Sequence, residues 1–176
     1  MSKKFSLTKT TKEHFGTTLF QIKAEMSFGN VSKGELGGYI EKEDNLNQDG
    51  NAWVSGDAMV SGDAEVFGDA MVYGDAMVYG DAMVYGDAMV SGNAMVFGNA
   101  WVSGNAMVFG NAWVFGKIKL LAGFFFGYRY KKEEIKYVQV DDDTELIYKG
   151  EAKFGEEETK NPKEIEIDGA KYRLVE

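Results

Sequence analysis

The sequence predicts an all-β fold, a single-stranded parallel β-helix with three six-residue repeats (hexads) in each coil. A glycine recurs every six residues from Gly50 to Gly116, and the hexads read Gly-Asp/Asn-Ala-X-Val-Y. A short fixed period indicates a solenoid, in which neighbouring repeats stack and share one core. Alanine and valine lie two positions apart in each hexad, so both side chains point to one side of an extended strand.

The start of each hexad is predicted to be a corner of the coil. Glycine followed by Asp or Asn suits a tight corner, because both residue types accept positive φ at low cost. Eleven hexads run from Gly50 through Phe115. We expect them to close into coils that stack about 4.8 Å apart, with valine and alanine inside.

The organisation predicted from this pattern has three segments. Residues 1–49 form a β-rich cap and a lead-in to the coil, residues 50–116 form the hexad coil, and residues 117–176 form a small β-rich segment. Ile40 and Leu46 are also six apart, so the coil is expected to begin in degenerate form before Gly50. Coil ends expose open strand edges, which invite polymerisation, so both flanks are expected to act as caps.

Further strands are predicted in the C-terminal segment. They cover residues 119–130, 135–140 and 145–149, and residues 165–174 read as a hairpin on an Asp168–Gly169 turn. No stretch of the chain shows the periodicity of an amphipathic helix.

The order aliphatic–X–Gly–Asn/Asp–small–X resembles the hexapeptide repeat of left-handed parallel β-helices. The stretch that begins Gly34-Glu-Leu-Gly-Gly-Tyr-Ile and runs to Val54 is similar to the lead-in of uncharacterised bacterial and phage-encoded β-helix proteins of the YdcK type. The resemblance covers about residues 5–116. It implies a left-handed coil, and it implies a homo-oligomer, a trimer or a dimer, because related β-helix proteins are often trimeric.

The predicted exterior is unusually apolar for a solenoid in water. The position before valine is Met or Trp in ten of the eleven hexads, and the position after it is Tyr or Phe in seven. Such surfaces mark contact sites, although aromatic ladders also stabilise a coil by stacking alone. The face with the most aromatic area is the predicted interaction face, formed by Met59, Met77, Met95, Trp113, Tyr79, Phe97 and Phe115.

Charge argues against a nucleic-acid partner for the repeat. Residues 50–116 contain six aspartates and Glu65 but no lysine or arginine, which accounts for −7 of the net charge of −9. An acidic surface repels phosphate backbones. The aspartates lack the nonapeptide form of calcium-binding repeats, so we interpret them as corner residues and expect no metal and no cofactor.

Catalysis is not expected from this sequence. Many hexapeptide-repeat proteins are acyltransferases that use a histidine base, but the one histidine here, His14, precedes the repeat. The chain has no cysteine, and hence no thiolate nucleophile or ligand.

The preferred hypothesis is therefore a non-catalytic scaffold or binding module that acts through its flat apolar faces and its C-terminal segment. The alternatives are a phage-encoded inhibitor or sequestering protein directed at a host system, and a hexapeptide-type acyltransferase. No apolar run is long enough to span a membrane, and the N-terminus lacks the pattern of a secretory signal. We therefore expect a cytoplasmic protein without a membrane partner.

Overall fold

The computed structural model is an all-β protein whose first part is a parallel β-solenoid of about five turns. The residues that it describes are 3–127, 135–141, 144–149, 152–154, 164–167 and 170–173. The chain divides into two compact units, Met1–Tyr128 and Arg129–Glu176. The predicted parallel β-helix is thus confirmed, whereas its left-handed sense stays a prediction.

Nearly all strands of the coil are two residues long. The strands before it are β1 Phe5–His14, β2 Thr17–Ala24 and β3 Leu36–Ile40, and a 3₁₀ turn follows at Glu43–Asn45. The coil then continues with β4 Trp53–Val54, β5 Met59–Val60, β6 Glu65–Val66, β7 Met71–Val72, β8 Met77–Val78, β9 Met83–Val84, β10 Met89–Val90, β11 Met95–Val96, β12 Trp101–Gly110, β13 Trp113–Val114 and β14 Lys119–Gly127.

Strands of successive coils pair in parallel at a spacing of eighteen residues. Met59 lies opposite Met77, which in turn lies opposite Met95. This register builds three ladders: β3-β5-β8-β11-β13, β4-β7-β10-β12-β14 and β6-β9-β12-β14. The outer surfaces of these ladders are called face 1, face 2 and face 3, respectively. The longer strands β12 and β14 each contribute to both face 2 and face 3.

The core is a column of small aliphatic side chains along the coil axis. The valines and alanines of the hexads are buried, as the two-residue spacing predicts, and Ile40 and Leu46 join them. Ile40 pairs with Val60, and Leu46 forms a bridge to Val66. The predicted degenerate start of the coil is therefore confirmed.

Parallel pairing also continues past the last hexad. Val102 lies opposite Leu120, eighteen residues on, but Asn105 lies opposite Ala122, only seventeen residues on. The final coil is one residue short at this corner, where the Gly-Asn dipeptide of the repeat is missing. Parallel pairing thus extends outside residues 50–116 on both sides.

An antiparallel hairpin precedes the coil. β1 pairs with β2, and β2 pairs with β3, so the hairpin continues the sheet of face 1 beyond the first coil. Phe5, Leu19 and Ile22 are fully buried. The hairpin thereby covers one of the open strand edges that the sequence analysis identified as a hazard.

The described residues of the second unit form five strands. They are β15 Ile135–Asp141, β16 Thr144–Lys149, β17 Ala152–Phe154, β18 Glu164–Ile167 and β19 Ala170–Arg173. β15 and β16 correspond to the strands predicted at 135–140 and 145–149, and they pair antiparallel. β18 pairs antiparallel with β17 and with β19, and the β18–β19 pair corresponds to the predicted hairpin. The predicted turn residues Asp168 and Gly169 lie outside the described residues.

Candidate interaction surface

Face 1 presents two columns of apolar side chains parallel to the coil axis. They arise because the residues on either side of each buried valine point outward. The first column contains Met59, Met77, Met95 and Trp113, and the second contains Ser61, Tyr79, Phe97 and Phe115. The structure therefore brings together all seven residues that the sequence analysis assigned to an interaction face.

The aromatic rings of the second column form one continuous stack. The ring centroids of Tyr79 and Phe97 are 4.9 Å apart with planes 1° from parallel, and those of Phe97 and Phe115 are 5.2 Å apart at 9°. Each inner ring face is thus covered by the next ring, so the ring edges point outward. Burial of Tyr79 in this stack raises the pKa of its phenol.

Exposure on face 1 varies along the first column. Trp113 is 45% exposed, whereas Met59, Met77 and Met95 are half-buried among their neighbours. Methionine is flexible and polarisable, and together with aromatic residues it is enriched at protein interfaces. Face 1 consequently has the composition of a contact surface.

The other faces carry shorter aromatic stacks. On face 3, Phe67 and Tyr85 stack at 4.8 Å, but Trp101 meets Tyr85 edge-on at 6.5 Å. The Lys119 ammonium lies 3.9 Å from the centroid of the Trp101 ring and covers it. Face 3 is therefore interrupted by a cation where face 1 continues as a parallel stack.

Part of face 2 is covered by the chain itself. Trp53, the first outward residue of this face, is only 1% exposed because Phe28 packs edge-on against it with centroids 5.4 Å apart. The indole Nε1 of Trp53 has no hydrogen-bond acceptor among the described residues. The N-terminal flank thus removes the first coil of face 2 from the available surface.

Two stretches of the coil match the family model of the YdcK β-solenoid repeat, residues 88–104 and 100–116. Residues 88–116 of the coil are thus similar to β-solenoid repeats of the YdcK type. These matched residues include Met95, Phe97, Trp113 and Phe115, the later part of face 1. A comparison with curated proteins finds no match to this chain.

Acidic residues line both edges of face 1 at its N-terminal end. Asp57 forms an ion pair with Lys12 at 3.4 Å, and Asp63 forms one with Lys42 at 2.6 Å. The hydrogen bond from Lys42 lowers the pKa of Asp63, and the same bond raises the pKa of Lys42. Both lysines precede the repeat, so the lead-in neutralises the first pair of corner aspartates.

The corner aspartates do not converge. Within the part of the chain that the structure describes, no three His, Cys, Asp or Glu side chains come together as metal ligands. Asp57 and Asp75 occupy the same corner of successive coils, as the register of eighteen requires, and both are exposed.

His14 lies away from the coil. It is the last residue of β1, opposite Thr17, and its ring contacts that of Phe15 with centroids 4.3 Å apart. Phe15 and Gly16 form the hairpin turn with φ values of 47° and 79°. The histidine that an acyltransferase would need as its base is therefore at the tip of the cap.

Two polar residues of the cap were missed by sequence reasoning. The residue Lys4 is only 3% exposed, and its ammonium lies near the carbonyl oxygens of Asp49 (3.3 Å), Gly50 (3.4 Å) and Ala52 (3.0 Å). Asn45 is fully buried, and its amide donates to the carbonyls of Gly62 and Ala64. Neither position belongs to the repeat. The sequence shows there only a polar residue next to an apolar one, which does not indicate burial.

These bonds follow from the direction of the coil's own hydrogen bonds. At the corners, the amide of Asp69 donates to the carbonyl of Gly86 in the next coil, so corner carbonyls point toward the N-terminal end. Backbone amides of the lead-in donate to the strand carbonyls of Ala58, Val60 and Val66, whereas the first corners take donors from side chains. Lys4 and Asn45 supply those donors, which keeps buried carbonyls from being left unpaired.

No helix in the described part of the chain is long and apolar enough to cross a membrane.

Proposed function

We propose that this protein is a non-catalytic β-helix scaffold that associates with copies of itself, as a dimer or a trimer, through face 1. The observation that supports this proposal is the Tyr79–Phe97–Phe115 stack beside the methionine column. It forms a contiguous apolar surface along the coil. Contiguous apolar surfaces of this kind on soluble proteins usually mark interaction sites.

The energetics favour burial of this surface. Covering apolar area releases about 25 cal/mol per Å², and aromatic and methionine side chains present large areas with little backbone rearrangement. A flat sheet face on a rigid coil is also preorganised, so little conformational entropy is lost on contact. These arguments favour face 1 over face 3, where Lys119 covers Trp101.

The proposal assigns no catalytic residue, no cofactor and no metal to this chain. It places the protein in the cytoplasm. It also assigns no nucleic-acid or membrane partner. The hexad coil contributes −7 to the net charge, which disfavours contact with phosphate groups.

The acyltransferase alternative depends on His14. An acetyl-CoA turnover assay on the protein and on His14→Ala tests it. The scaffold proposal expects no turnover in either protein, and turnover that His14→Ala abolishes would replace it with the enzyme hypothesis.

The inhibitor alternative, a phage-encoded protein that sequesters a host component, is supported by the resemblance to YdcK-type proteins and by the acidic corners. A pull-down from bacterial lysate tests this second candidate. Recovery of one stoichiometric host protein would favour it, and recovery of no such protein would count against it.

The decisive experiment for the scaffold is the solution mass of matched variants. Phe97→Lys places a charge in the middle of the face 1 stack, between Tyr79 and Phe115. Tyr85→Lys is the control, because Tyr85 also lies between two aromatic residues but on face 3. We expect light scattering to show an oligomer for the unchanged protein and for Tyr85→Lys, and a monomer for Phe97→Lys.

An unchanged mass for Phe97→Lys would exclude face 1 as the interface. A monomeric unchanged protein would exclude self-association altogether.

A further inference from the structure

The two edges of face 1 carry the same order of charges along the coil axis. Positions eighteen apart lie in one column, because that is the register of the paired strands. Each edge begins with two aspartates and ends with residues that are not acidic. One edge consists of Asp57, Asp75, Asn93 and Asn111, and the other consists of Asp63, Asp81, Asn99 and Lys117.

A flat face can pack against its own copy in two symmetric ways. If the two-fold axis runs along the coil, the coils are parallel, and each coil lies opposite the same coil of the second copy. If the two-fold axis lies across the coil, within the interface, the coils are antiparallel. The first coil of one copy then lies opposite the last coil of the other.

The two arrangements place different charges together. In the parallel arrangement each edge lies against the other edge at the same level, so Asp75 faces Asp81 of the second copy, and this contact occurs twice. In the antiparallel arrangement each edge lies against itself in reverse. Asp75 then faces Asn93 of the second copy, and Asp81 faces Asn99.

Asp75 and Asp81 decide between the arrangements. Asp57 and Asp63 already have lysine partners within the chain. In contrast, Asp75 and Asp81 are exposed, and no ion pair involves them among the described residues. Like charges across an interface suppress association, whereas a carboxylate can accept hydrogen bonds from an amide.

The apolar columns tolerate the antiparallel arrangement. It places Tyr79 opposite Phe97 of the second copy and Met77 opposite Met95, so apolar side chains meet apolar side chains at the centre. The parallel arrangement sets the methionine column against the aromatic column, which is equally apolar. The charged edges, not the apolar columns, therefore set the direction.

We infer that the partner of face 1 is a second copy of this chain whose coil axis runs antiparallel, so that the assembly is a two-fold dimer. This inference rests on the proposed self-association and adds the number of copies and their direction. A two-fold dimer of this kind covers face 1 of both copies, so no part of face 1 remains exposed to bind a third copy.

Crosslinking between single-cysteine variants tests the direction, since the chain has no cysteine of its own. Antiparallel packing brings residue 57 of one copy near residue 111 of the other, so Asp57→Cys is co-expressed with Asn111→Cys. Parallel packing brings residue 57 near residue 63, so Asp57→Cys is also co-expressed with Asp63→Cys. Both pairs retain Asp75 and Asp81, and each variant alone is a control.

A short bismaleimide suits this test, because two sheets that pack face to face lie about 10 Å apart. We expect a mass of two copies and several-fold more crosslinked product from the 57/111 pair than from the 57/63 pair. In the background Asp75→Asn with Asp81→Asn, the two yields should become similar, because the repulsion that sets the direction is gone.

Each other outcome contradicts a defined part of the argument. A dimer that crosslinks through 57/63, or a trimer, overturns the antiparallel inference and leaves self-association through face 1 in place. A dimer without either crosslink, or a monomer, overturns the proposed function together with the inference.

Discussion

The ammonium nitrogen of Lys4 lies 3.0 Å from the carbonyl oxygen of Ala52 and donates a hydrogen bond to it at the N-terminal end of the coil. The same ammonium is near the carbonyls of Asp49 and Gly50 and lies 5.1 Å from the centroid of the Phe28 ring. One side chain from the hairpin thus closes the corner of the first coil that no earlier coil can pair.

Lys4→Met should destabilise the fold, because methionine keeps the apolar stem but removes every donor. Leaving buried carbonyls unpaired costs about 1–3 kcal/mol. Lys3→Met is the control, since Lys3 forms only an exposed ion pair with Glu43 and should cost less than about 1 kcal/mol. Urea unfolding followed by circular dichroism measures both, and equal losses would show that Lys4 has no special role.

Stability should rise with pH between about pH 8 and pH 10, owing to Lys4. Burial lowers the pKa of Lys4 from 10.5 to about 8 in the folded protein. Between these values the unfolded chain binds more protons than the folded one, so the free energy of unfolding increases as pH rises. Below the folded pKa this group contributes no slope. Thermal unfolding at a series of pH values measures the effect, and a slope that persists in Lys4→Met would assign it to another group.

Asn45→Ala should destabilise the protein more than a neighbouring substitution. The Asn45 amide donates to the carbonyls of Gly62 (3.0 Å) and Ala64 (2.9 Å), and its oxygen accepts from the amide of Lys42. We expect a loss of about 2–3 kcal/mol, since one buried and two partly buried groups lose a partner. Asn47→Ala, at an exposed position, should cost less than about 1 kcal/mol. Similar unfolding midpoints for the two variants would contradict the assigned role.

Gly86→Ala should be costly although the added group is a single methyl. Gly86 has φ of 70°, and a Cβ there would lie 3.0 Å from the amide nitrogen of Gly104 in the next coil. The backbone conformation alone costs an alanine about 1–2 kcal/mol, and the close approach adds to it. Asp87→Ala at the same exposed corner should stay within about 0.5 kcal/mol. A Gly86→Ala variant as stable as Asp87→Ala would mean that this corner can relax.

The coil itself could be predicted because its signal is repeated. Each valine–alanine pair indicates the same inward direction, and each glycine indicates the same corner. A wrong interpretation of one hexad is therefore corrected by the other hexads. Ile40 and Leu46 could be placed in the core for the same reason, since they keep the six-residue spacing without the glycines.

The cap could not be predicted to the same depth because its contacts occur once. Lys4 and Asn45 act on carbonyls 45 to 48 and 17 to 19 residues away, respectively, and such pairs leave no pattern in the sequence. The covering of Trp53 by Phe28 is a similar case, since its position in the hexad indicates an outward side chain. The one-residue shortening opposite Asn105 became visible only through strand pairing.

The pairing interval of eighteen residues has a consequence for how this gene could change length. Adding or losing eighteen residues within the coil would keep every later side chain on its original face. Adding or losing six residues would keep valine and alanine inside but move every later side chain to the neighbouring face. A change of this kind between Tyr79 and Phe97 would place the two rings in different columns. Tandem duplication at this locus is therefore expected to persist in multiples of fifty-four nucleotides, and intermediate steps would scramble the outer surface while leaving folding unharmed.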